Sequence, residues 1–94
     1  MDAFLYFNQD ARMDRDHRTG DRLRRSECDW KVDHSLSPRE QAAQVFRAAN
    51  ADNRPNGRFE RSACVGDIIL LPDGTIFSVA GSGFTLQRRG NNKV

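Results

Sequence analysis

Residues 67–80 read DIILLPDGTIFSVA, and this stretch decides the fold. Two apolar runs, Ile68–Leu71 and Ile76–Val79, flank Pro72-Asp73-Gly74. Proline presets φ for a turn and glycine takes the left-handed position, so the runs read as the arms of a β-hairpin. Gly81-Ser82-Gly83 then interrupts the chain and Phe84-Thr85-Leu86 resumes the strand pattern. Strands are expected over 65–71, 75–80 and 84–87. Gly81 and Gly83 are expected to mark a bulge or bend that curls the sheet into a partly open barrel. Gly66-Asp67 reads as the strand-entry turn, with the Asp carboxylate bonding a nearby amide.

Moving toward the N-terminus, Ser37-Pro38-Arg39-Glu40 has a capping hydroxyl, proline at the first helical position and an acid three residues after the cap. These satisfy orphan amides of a first turn. Ala42, Val45, Phe46 and Ala49 follow at the spacing of one buried face, which predicts a helix over about 38–50. Residues 3–8, with FLYF in the centre, read as a strand buried on both faces. The fold class is therefore α+β: one helix packed on a small curled antiparallel β-sheet.

The remaining chain is polar. An Arg/Asp-rich insertion at about 9–29 has no apolar period and is expected to be a mobile loop with one amphipathic turn around Leu23. Trp30 and Val32 alternate with Lys31 and Asp33 in the manner of a short strand at 30–33. Residues 88–94 read as a flexible basic tail. Residues 1–87 make one small domain, since 94 residues hold a single modest core.

The chain carries 15 basic and 13 acidic side chains, net +2, a balance short of the excess that itself argues for nucleic-acid binding. No apolar run approaches the ~20 residues that span a bilayer. The opening MDAFLYFNQD has an acid where an export signal needs basic residues. A cytoplasmic location is expected, with Cys28 and Cys64 as reduced thiols and Cys64 a small buried hydrophobe.

Sites of known chemistry were sought and fail on spacing. Gly81-Ser82-Gly83 lies between strands and lacks the lysine of a phosphate loop. Asp14 and Asp16 begin a calcium-loop pattern that Arg18 and Thr19 break. His17, Cys28, His34 and Cys64 lack the closely spaced ligand pair of a zinc site. A Cys64–His34 dyad is the nearest approach to nucleophilic catalysis, without a strained nucleophile turn to support it. The expectation is no enzyme, no cofactor and no metal.

The run Arg61-Ser62-Ala63-Cys64-Val65-Gly66-Asp67, leading into Ile68–Leu71 and an Asp-Gly turn, resembles the Arg-Ser-x-Ser-Val-Gly-Asp-Val signature of the YodL-like domain. Tyr6-Phe7-Asn8, Val45-Phe46-Arg47-Ala48-Ala49-Asn50 and Gly81–Phe84 are similar to further motifs in the same order. Cys64 stands where that signature carries a small polar residue. The resemblance implies a small accessory protein of actinobacterial phages, plasmids and related mobile elements, with no established activity.

The leading expectation is a non-enzymatic accessory protein that binds and modulates a host or phage protein. Arg22, Arg24, Arg25 and Trp30 are the expected contacts, because Arg and Trp anchor interfaces. The alternative is a nucleic-acid-binding module using Arg12, Arg15, Arg18, Arg88, Arg89 and Lys93, with the salt dependence of counterion release.

Overall fold

The hairpin around Pro72-Asp73-Gly74 forms as its residues dictate. Gly74 adopts φ of 93°, its N–H donates to Leu71 O, and Leu71 N–H donates to Thr75 O. Asp73 accepts from the amide and hydroxyl of Thr75 at 2.9 Å each. In the computed structural model, which describes residues 2–10, 17–51, 53–55, 57 and 60–90, this hairpin is the middle of a five-stranded sheet.

The strands are β1 (Phe4–Asn8), β2 (Leu23–Arg25), β3 (Ile68–Leu70), β4 (Ile76–Ala80) and β5 (Gly83–Arg88). Their spatial order is β2-β1-β3-β4-β5, with every pairing antiparallel. β2 and β5 are the edges, so the sheet stays open. The single helix, α1, spans Pro38–Ala49 and carries the expected capping box between Ser37 and Glu40. Asn50 closes it, its side-chain amide donating to Phe46 O at 2.9 Å.

Alternation along the strands separates two faces. Leu5, Phe7, Ile69, Phe77 and Val79 share one face and form a core with Ala42, Val45 and Ala49 of α1. Phe84 packs edge-on against Phe46 of the helix, ring centroids 6.0 Å apart. Each fully buried large side chain in such a core contributes about 1.5–3 kcal/mol. The opposite face, which includes Phe4, Tyr6, Ile68, Leu70 and Ile76, has no helix on it.

Several expectations are corrected. The 9–29 segment is not a loop throughout: Leu23–Arg25 pairs with β1 in the register Tyr6–Arg25, Phe7–Arg24 and Asn8–Leu23. Residues 30–33 make no strand; Trp30 forms one isolated bridge with Ala3. β3 begins at Ile68, because residues 65–67 are occupied by the turn at Gly66, whose φ is 95°. Gly81 and Gly83 do not mark a bulge. Gly83 pairs with Ala80 across a two-residue turn, and the bulge lies further along, where Phe77 faces Leu86 but Ile76 faces Arg88. Residue 88 belongs to β5 rather than to a tail, and Gly90 N–H still reaches Thr75 Oγ1 at 3.1 Å.

Candidate functional site

The polar side chains near β1 are engaged within the fold. Arg61 donates to both carboxylate oxygens of Asp67 at 2.7 Å each. Asp67 is fully buried and also accepts from the amides of Asn8 at 2.9 Å and Cys64 at 2.8 Å. The carboxylate holds the Arg61 guanidinium above its ordinary pKa. Asn8 completes the junction through its side-chain amide, which donates to Gly66 O and Asp21. The motif that suggested a strand-entry turn is thus also an ion-paired clamp between β1 and β3.

A second clamp ties the edge strand. Glu60, buried, accepts from Arg24 at 2.9 Å, from the Ser26 hydroxyl at 2.6 Å and from the Glu27 amide at 3.2 Å. Arg24 and Arg61 both lie over the Phe7 ring, at 5.2 and 4.8 Å from its centroid. Each guanidinium is already neutralised by an acid, so the ring stabilises cations that remain committed to the fold.

These contacts redistribute the expected binding residues. Trp30 is not a surface anchor: it is 1% exposed, packed in the core, with its carbonyl accepting from Ala3 N–H at 2.8 Å. Arg24 serves Glu60. Arg22 pairs with Asp10 at 3.0 Å, and hydrogen bonds from Arg22 hold the Asp10 carboxyl below the usual range. Arg25 differs, stacking over Phe4 at 5.3 Å on the helix-free face. Among the residues of the alternative, Arg18, Arg88 and Arg89 are exposed, while Arg12, Arg15 and Lys93 lie outside the described residues.

The two thiols are poorly suited to nucleophilic work. Cys64 is half-buried rather than enclosed, and Arg61 reaches its sulfur at 3.2 Å. Burial raises its pKa, and burial does the same for Cys28, whose thiol donates to Asp29 O at 3.3 Å. No group of three or more His, Cys, Asp or Glu placed to hold a metal occurs among the described residues. No helix among them is long and apolar enough to cross a membrane.

Sequence reasoning leaves open whether the loop or a face of the sheet binds, and does not identify the residues of the helix-free face. Register aligns Phe4, Leu70, Ile76 and Arg88 in one row across the strands. Tyr6 and Ile68 adjoin that row and Leu23 sits opposite Asn8, further along β1; with Leu70, Ile76 and Arg88, but not Phe4, they line a groove of about 370 Å³. Phe4 and Leu23, at 37% and 43% exposure, are the exposed large hydrophobic residues of the described chain. The groove is lined mainly by apolar carbon, with His17, Gln87 and Arg88 on its borders.

Arg88 is there because of the bulge. Simple alternation from Leu86, which packs against the core, would put Gln87 on the open face and Arg88 back toward the helix. The extra residue between Phe77–Leu86 and Ile76–Arg88 brings both Gln87 and Arg88 to the groove. Gln87 is fixed by a 2.9 Å bond to the Ser78 hydroxyl.

Against known proteins the chain matches no family model, no curated protein and no solved structure.

Proposed function

We propose that this chain is a non-enzymatic accessory protein of a phage or related mobile element that binds a host or phage protein and alters its activity. The docking surface in this reading is the open face of the sheet. One observation carries it: on the face opposite α1, exposed Leu23 lines a 370 Å³ apolar groove, and exposed Phe4 lies next in register to its Leu70 wall. Exposed apolar surface gathered in one patch favours association, because covering it releases water from carbon. The YodL-like resemblance supports the accessory context. Raised thiol pKa values favour a binding role over thiol chemistry.

The test is affinity capture from a bacterial host lysate with the parent chain and a Phe4→Ser/Leu23→Ser variant of matched thermal stability. A partner retained by the parent and lost from the variant supports the reading; equal capture by both overturns it. A nucleic-acid reading has one observation in its favour, the adjacent exposed Arg88 and Arg89, which make no ion pair among the described residues. It requires DNA or RNA binding that weakens steeply with salt.

A further inference from the structure

The helix-free face carries an arginine at each edge of the sheet: Arg88 lines the groove itself, and Arg25 lies outside its lining, on Phe4, the register partner of Leu70. At the β5 edge the bulge delivers Arg88. At the β2 edge, Arg25 folds over the Phe4 ring, which brings its charge to the other end of the Phe4–Leu70–Ile76 row. Among the described residues neither guanidinium makes an ion pair and no carboxylate lines the groove. Two acids near the β1–β2 end are engaged within the fold: Asp10 with Arg22, and Asp21 with Asn8 and the Arg18 amide.

Resting on the docking reading above, we infer that the partner presents an acidic, apolar segment: hydrophobic side chains that fill the groove, with carboxylates at either end that meet Arg25 and Arg88. Strands lie about 4.8 Å apart, so the two cations bracket roughly 15–20 Å of sheet. An extended segment of about six residues, at ~3.3 Å each, spans that distance. Arginine matches this task because its planar donors pair with a carboxylate in two parallel bonds.

Two other occupants fit less well. A second copy of the chain would set arginines against arginines across the groove, a like-charge contact that disfavours association. Nucleic acid would need open aromatic faces on which bases stack. Here Tyr6 and His17 are the ring side chains of the lining, one face of the Phe4 ring is occupied by Arg25, and the rest of the lining between them is aliphatic.

The experiment uses the full chain, isotope-labelled, titrated with a synthetic peptide whose central Leu-Phe-Leu-Ile run is flanked by glutamates. A lysine-flanked peptide and poly(U) serve as comparisons. The expected result is saturable amide shifts at Tyr6, Leu70 and Ile76 with the glutamate peptide, weakened about tenfold by Arg88→Glu or Arg25→Glu at unchanged melting temperature. Equal or tighter binding of the lysine peptide on the same residues overturns the charge rule but leaves the docking face standing. Absence of shifts with either peptide, while Phe4→Ser/Leu23→Ser still loses its captured partner, likewise overturns only the partner chemistry. Salt-sensitive shifts of the same residues with poly(U) overturn both readings. Concentration-dependent dimerisation abolished by Leu23→Ser assigns the face to a second copy and also overturns the inference.

Discussion

Arg61 and Asp67 meet through two parallel hydrogen bonds of 2.7 Å, with the carboxylate fully buried and the guanidinium side chain 41% exposed. The asymmetry predicts unequal costs. Removing one partner of a buried pair costs about 3–5 kcal/mol when the remaining charge is left unpaired inside. Asp67→Ala leaves the amides of Asn8 and Cys64 without their acceptor, at about 1–3 kcal/mol for each buried donor, besides removing the ion pair. Arg61→Ala leaves those two amides in place on the carboxylate, and water reaches the vacated side. It costs about 3 kcal/mol, the low end of that range, because the pair is partly exposed on the Arg61 side. Urea unfolding followed by far-ultraviolet circular dichroism ranks the two; a larger loss for Arg61→Ala contradicts the assignment of Asp67 as the hub.

Trp30 is the single tryptophan and is 1% exposed. Its fluorescence is expected at short wavelength, with little quenching by acrylamide until the protein unfolds. Trp30→Ala should cost about 3–5 kcal/mol by leaving a cavity. Emission at the wavelength of solvated tryptophan would return this residue to the surface and to the list of binding anchors.

The capping box at Ser37 and Glu40 is solvent-exposed but specific. Ser37→Ala is expected to destabilise by about 1 kcal/mol, which lowers the melting temperature by about 4–8 °C in a chain of this size. Ser37→Asp, which can also cap, should restore most of it. Equal melting temperatures for all three chains would show that the cap contributes nothing.

Burial raises the pKa of both Cys28 and Cys64. Because the thiolate is the reactive form, alkylation by iodoacetamide should be slow at neutral pH and accelerate about tenfold per pH unit up to the ordinary thiol range. A rate that levels off below pH 8 at either position would reveal an activated thiol and reopen the case for catalysis.

What the sequence made legible was local. Ser37, Pro38 and Glu40 specify a helix start within a few residues of chain, and Pro72-Asp73-Gly74 specifies a turn within three. What it hid depends on distant partners. Trp30 sits in a polar stretch, and its burial follows from pairing with Ala3, which no local period announces. Leu23–Arg25 has too little apolar pattern to read as a strand. Its pairing is supported by Arg24 on Phe7 and Glu60, and by Arg25 on Phe4. The glycines at 81 and 83 drew the expected bulge to themselves, whereas the extra residue is accommodated near Gln87, where nothing in the residue types marks it. The residues of the open face were missed for the same reason: Phe4, Leu70 and Ile76 become one surface only once register is known.

The strand order carries a consequence for how the protein is made. β3, β4 and β5 follow one another within residues 68–88 and can pair through two tight turns as soon as they are synthesised. β1 must wait, since Phe4 pairs with Leu70 and closing so long a loop is entropically costly until the hairpin offers a surface to join. During synthesis the aromatic segment of β1 therefore remains without its central neighbour until Ile68–Leu70 has been made. The earliest strand in time is a late strand in assembly, and Phe4–Asn8 is the segment most in need of protection during translation.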